Sequence, residues 1–184
     1  MRGWAVLEQQ HRQVETRFVA LGVAGVDAPA LVLDLATHLM AHMLVEQEAF
    51  YPFARSARRD AVRANSEEHA LLAFALMRLM TADIRHETFA EKVTAVRELF
   101  DSHAQEEERD LFAIITSSLG NLDSETLGRK MEQRFEELLA LGYDGCRVAW
   151  DEAERLQMSA PGVQSTARTS AKGGGSGLSG CGRS

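Results

Sequence analysis

Two segments of this 184-residue chain repeat one arrangement: His42 and Glu46 stand four positions apart, and so do His103 and Glu107. In a helix, residues i and i+4 lie one above the other, about 6 Å apart along the axis, so each pair turns an imidazole and a carboxylate to the same side. If the helices pack antiparallel, the two pairs face each other across the core, and His11 and His69 complete the enclosure from two further helices. Such a set can hold two metal ions. Each would take a pair of histidines, one oxygen from each of Glu46 and Glu107 as bridges, and a shared oxo or hydroxo group, which leaves an open position for a small exogenous molecule. Imidazole and carboxylate without thiolate suit iron or manganese better than copper(I), whereas zinc prefers a closed tetrahedron, so iron is the expected metal. Burying these groups without metal or partners would cost several kcal/mol each, which disfavours a purely structural role.

Helices must position these residues. Between the prolines at 29, 52 and 161, apolar residues recur at three and four. A first helix is expected over about 4–21, with Leu7, His11, Val14, Phe18 and Leu21 on one stripe, ending at Gly22 and Gly25. A second should start near Asp27 and run to Pro52 with Leu35, His38, Leu39, His42, Val45, Glu46 and Ala49 inward. A third should begin at Asn65 or Ser66, carry His69 in its first turns, and continue to about Asp83. A fourth should span Thr88 to Ser118, with Val96, Leu99, His103, Glu107, Leu111 and Ile114 on one side. Residues 123–157 read as further amphipathic helix broken around Gly142 to Gly145, with Leu127, Met131, Phe135 and Leu138 as the docking face. The chain is thus read as all-α: an antiparallel up-down four-helix bundle over 1–120, a C-terminal helical extension over 121–158, and a disordered Gly/Ser-rich tail over 159–184.

Other polar residues compete for places near the metal. His38, one turn before His42, could replace a ligand, support one or line the access path, and the latter two are favoured. Glu15 reads as an exposed ion pair with Arg12 or Arg17, Glu108 as the fallback ligand beside Glu107, and His86 as a solvated loop residue. Phe74, Met77 and Phe100 read as core, and Phe50, Tyr51 and Phe112 as a cover over the cavity.

Composition narrows the partners. A formal charge of −7 and the lack of a basic stripe argue against nucleic acid. No uninterrupted apolar run of about 18–20 residues is seen, so a membrane span is not expected, and the polar N-terminal segment implies a cytoplasmic location. Cys146 and Cys181 form neither a disulfide framework nor a thiolate metal site. The Glu-x-x-His spacing of ferritin-like sites occurs only at Glu8 and His11, and no phosphate loop or nucleophile turn is present.

The segments His42-Met-Leu-Val-Glu46-Gln-Glu-Ala-Phe-Tyr-Pro52 and His103-Ala-Gln-Glu-Glu107-Glu-Arg-Asp-Leu-Phe112, together with His11-Arg-Gln-Val-Glu15 and Glu68-His69, resemble the hemerythrin-like HHE family over about residues 5–115. The resemblance implies a left-handed four-helix bundle with a carboxylate-bridged, non-haem di-iron site that meets oxygen, peroxide or nitric oxide. It assigns ligand roles to His11, His42, Glu46, His69, His103 and Glu107. Oxygen-carrying members have a further histidine one turn after the first on the third helix, where this chain has Ala73. The resulting four-histidine, two-glutamate set looks more like bacterial di-iron proteins linked to oxidative or nitrosative stress and iron homeostasis. Catalase-like, peroxidase-like or nitric-oxide-related chemistry follows as an expectation, with a non-catalytic iron or oxygen sensor as the alternative.

Overall fold

The computed structural model describes residues 2–22, 28–113 and 121–159. Helix α1 spans Gly3–Gly22, and α2 spans Ala28–Val45. The rod of α2 continues through a π-helical turn, Glu46–Phe50, into the short α3, Tyr51–Ala54. Helix α4 covers Arg59–Met80. Helix α5, Phe89–Glu106, runs into a second π-helical turn, Glu107–Leu111, and α6 covers Asn121–Ser159. No strand occurs among the described residues.

Contacts of α1 with α2, α2 with α4, α4 with α5 and α5 with α1 close a ring, the arrangement of a four-helix bundle. Helix α6 lies outside that ring against α1 and α2. As a result α2 is covered on nearly every side, and Val32, Leu35, Ala36, Leu39, Met40, Ala41, Met43, Leu44 and Val45 are all buried. A helix apolar all round belongs in such a place. The rod Ala28–Ala54 is in fact long and apolar enough to cross a membrane, with a mean hydropathy of 1.5 in its 18-residue apolar window, and 61% of that window is buried inside the fold. It is longer than the sequence reading allowed because the widened π turn carries the helix through Pro52, where a stop was expected.

Three further expectations are corrected. Helix α4 begins six residues before Asn65, after Arg58, which makes no side-chain cap. Burial of Val62 and Asn65 inside the bundle fixes that start, and local capping chemistry does not. Leu99 is not an inward residue of α5: it is 37% exposed, while Phe100, read as core, is fully buried. Phe74 and Met77 are also outside the core, since α4 buries the face of His69, Leu72, Leu76 and Leu79. The helix boundaries expected at Gly25, Asp27 and Ser118, the stripe residue Ile114, and the tail beyond 159 lie outside the described residues.

Helix α6 docks through Met131, Phe135 and Leu138, all buried, with Leu127 packed beside them. The approach is close: a Cβ on Gly3 would meet Leu127 Cδ2 at 3.2 Å. Arg134 also grips Glu48 on the first π turn, Nε to Oε2 at 2.6 Å. The expected break is a kink at Gly142, with φ 69° and ψ −178°. Across it the buried Cys146 thiol donates to the Leu138 carbonyl at 3.3 Å. The kink returns Trp150 to the core, where its ring lies 6.4 Å from that of His69.

Only glycine adopts this φ without strain, so Gly142→Ala should cost about 1–2 kcal/mol and lower the melting temperature by roughly 2–8 °C. Gly22→Ala, whose added Cβ meets nothing within 4 Å, should not lower it. Equal shifts in thermal unfolding of the two variants would show that Gly142 does not set the kink.

Candidate metal centre

The six residues singled out by spacing come together. His11 from α1, His42 from α2, His69 from α4, His103 from α5, and Glu46 and Glu107 at the first positions of the two π turns are all at most 2% exposed. Their inward atoms form two overlapping groups, each within 4.8 Å: His11, His42, Glu46 and Glu107 in one, and Glu46, His69 and His103 in the other. Glu46 Oε2 lies 3.5 Å from His42 Nε2, 3.0 Å from His69 Nε2 and 3.7 Å from His103 Nε2. Glu107 Oε2 is 3.6 Å from both His11 Nε2 and His103 Nε2.

The π turns explain part of this geometry. In a regular α-helix, position i+5 points roughly 140° away from position i. Here the Tyr51 N–H reaches back to the Glu46 carbonyl, and the Phe112 N–H to the Glu107 carbonyl, each an i to i+5 bond. Tyr51 and Phe112 are thereby turned onto the faces of the glutamates they follow. Tyr51 stacks on His69 with centroids 5.3 Å apart, and Phe112 on His11 at 6.0 Å. The expected aromatic cover is present.

Three of the four outward nitrogens are held as well, while His69 Nδ1 is buried without a hydrogen-bond partner. His11 Nδ1–H donates to Glu108 Oε1 at 2.8 Å, His42 Nδ1–H to Gln10 Oε1 at 3.1 Å, and His103 Nδ1–H to Glu68 Oε2 at 3.1 Å. These bonds fix the tautomer and leave Nε2 free to face the cavity, the usual support of metal-binding imidazole. Glu108 therefore orients His11 and does not enter the cavity as a fallback ligand. Arg12 in turn binds Glu108 at 2.6 Å and also pairs with Glu15, as the reading of an exposed ion pair anticipated. His38 stands apart, bonded to the Asp34 carbonyl at 2.9 Å and to Arg17. His86 is exposed and contacts Thr88.

Sequence reasoning did not identify Gln10, Glu68 or Asn65 as parts of the centre. A signal existed: Gln10, Glu68 and Glu108 are each the chain neighbour of one inward residue and support a histidine on an adjacent helix. A helical neighbour points about 100° around the axis, toward the next helix of the ring. Asn65, read as a cap, donates to Glu107 Oε1 at 3.1 Å, and the Tyr51 hydroxyl donates to the same oxygen at 2.9 Å.

Protons are shared unevenly in this cavity. Burial opposes charge on His11, but Glu107 and Glu108 outweigh it and carry the imidazole up to about 9. Burial likewise opposes charge on His103, and Glu107 with Glu46 raises it well above the usual histidine range. For His42 and His69, burial dominates, reinforced by His11 and His103 respectively, and both are held well below that range. Burial pushes Glu46 up to about 8, with Glu107 adding repulsion. Glu107 resists burial because of His103 and His11 and stays well below the carboxylate range.

The donor set fits a cation. His11 Nε2, His42 Nε2, both Glu46 oxygens and Glu107 Oε2 are buried without hydrogen-bond partners, and all belong to the inward groups. Buried polar atoms are rarely left so, and here a bound ion would satisfy them together.

Comparison with known proteins agrees with this geometry. The Hemerythrin HHE cation binding domain matches residues 2–115. The uncharacterized protein Rv2633c of Mycobacterium tuberculosis and the uncharacterized protein Mb2666c of Mycobacterium bovis are each 27% identical over 142 residues, 75% of this chain and 88% of theirs. The crystal structure of a hemerythrin HHE cation binding domain-containing protein from Mycobacterium kansasii, an Rv2633c homolog, aligns with a TM-score of 0.70 at 23% identity, covering 76% of this chain and 88% of that one. At that identity the structural likeness speaks for the fold alone. The domain match spans more than half of the chain and contains all six buried donors, so the chain belongs to the hemerythrin HHE cation-binding family.

Proposed function

We propose that the chain holds a carboxylate-bridged, non-haem di-iron centre that binds or reacts with a small oxidant: oxygen, peroxide or nitric oxide. The observation that carries this reading is the pair of overlapping donor groups, with Glu46 common to both. A shared carboxylate between two histidine pairs is the arrangement that two adjacent ions require. Ala73 offers no donor one turn after His69, so the protein supplies too few ligands to close both positions. Iron bound there supplies redox and Lewis-acid chemistry. Glu108, Gln10 and Glu68 hold His11, His42 and His103 in one tautomer, and Phe50, Phe100, Tyr51 and Phe112, all buried, keep bulk water out.

Two outcomes follow. Purified aerobically, the chain should hold about two irons and show oxo-to-iron charge-transfer bands in the near ultraviolet. A colourless, iron-free protein after anaerobic iron loading would refute the reading. Metal loading should also release protons, because His11 at about 9 and Glu46 at about 8 carry protons at neutral pH that a ligand must lose. Iron affinity should therefore rise with pH through the neutral range and level off above about 9, which calorimetry in buffers of different ionisation enthalpy would measure. A pH-independent affinity would contradict it.

A further inference from the structure

The outward face of α4 is apolar where water is expected. Opposite the buried side of His69, Leu72, Leu76 and Leu79, a second set of residues recurs at alternating spacings of three and four: Ala64, Glu67, Leu71, Phe74, Arg78 and Thr81. All six are exposed. Leu71 is 58% and Phe74 57% exposed, and Met77 flanks them at 45%. A helix on the rim of a bundle normally turns polar residues outward, whereas a seam repeating every 3.5 residues is the pattern by which one helix packs along another. Charges of opposite sign bracket the apolar middle, Glu67 on the N-terminal side and Arg78 on the C-terminal side. Neither is in an ion pair among the described residues.

This seam complements itself. Two copies laid antiparallel about a two-fold axis between Leu72 and Ala73 set Leu71 against Phe74, Glu67 against Arg78 and Ala64 against Thr81, and every pairing occurs twice. Glu67 and Arg78 stand equally far from that axis, about 8 Å along the helix, so one register joins the apolar residues and the opposite charges together. A parallel pairing would instead put Glu67 against Glu67 and Arg78 against Arg78, which like-charge repulsion disfavours. Ala70 and Ala75 lie half-buried beside the seam, and side chains that small let two helices approach closely. Arg63 falls one position off the seam, at its edge.

We propose that this face of α4 docks on the same face of a second copy of the chain, antiparallel about that two-fold axis, with Leu71 and Phe74 at its centre and the Glu67–Arg78 pairs fixing its direction. One helix from each chain covers less than the roughly 800 Å² per partner of a standard interface, so the association is weak, with a dissociation constant on the order of 10 μM. The seam lies on the far side of α4 from His69, so pairing leaves the buried donors where they are.

Sedimentation of the full chain between roughly 1 and 200 μM tests this. The mass should move from one chain towards two over that range. Phe74→Glu, an exposed position where folding is not at stake, should hold the chain at a single mass throughout. Glu67→Arg should weaken association about tenfold or more, and adding Arg78→Glu to the same chain should restore it, because the exchanged charges again meet across the two-fold axis. A single-chain mass at every concentration would overturn the proposal, whatever else covers the face. So would a dimer that Phe74→Glu leaves intact, or one that the double exchange fails to restore, since either places the contact elsewhere or in another register. Iron content and spectrum play no part in these readouts, so their failure is separate from that of the di-iron reading.

Discussion

Six ionisable side chains meet inside this bundle with their polar atoms shut away from water, and the rest of the molecule is arranged around that constraint. Isolated charges in such a place are prohibitive, and paired ones break even only with good geometry and satisfied outer bonds. The fold meets the second condition for three of the four histidines, with Glu108, Gln10 and Glu68 on the outward nitrogens of His11, His42 and His103. It leaves the first to the cavity, where Glu46 and His11 sit far from their ordinary protonation behaviour. A bound cation in place of those protons would relieve the conflict.

The scaffold is correspondingly cross-braced at the site and layered away from it. Every ring helix contributes one histidine, so the centre bridges all of them. Helix α2 carries His42, with Glu46 at its end, and is the most enclosed element, backed by α6. Helix α6 reaches the centre through Trp150, covers the π turn of Glu46 and clamps Glu48 with Arg134. A segment read as an appendage is thus structural support for one side of the metal cavity.

Much of this was legible in the sequence, and the misses share a cause. The i, i+4 pairs fixed both the faces and the chemistry, since period and ligand spacing coincide in a helix. Asn65 was misread because an asparagine before a helical run is a good cap, and the value of its amide to Glu107 comes from a helix 42 positions away. Leu99 was placed inward beside Phe100, which was rightly read as core, because the two differ by only about 100° around α5 and the apolar period admits both. Phe74 and Met77 fit a helical period but fall on a face of α4 left outside the core. The π turns leave no strong local mark. Their consequence, an aromatic five residues after each glutamate, was visible in the motif without its geometric reason.

Anomalous diffraction at the iron edge from crystals of the iron-loaded chain tests the central claim most directly. The account predicts two iron peaks about 3.5–4 Å apart. One should lie against His11 and His42, the other against His69 and His103, with Glu46 reaching both. A single peak, a peak outside this cavity, or a fully loaded protein in which Glu46 touches neither ion would contradict it.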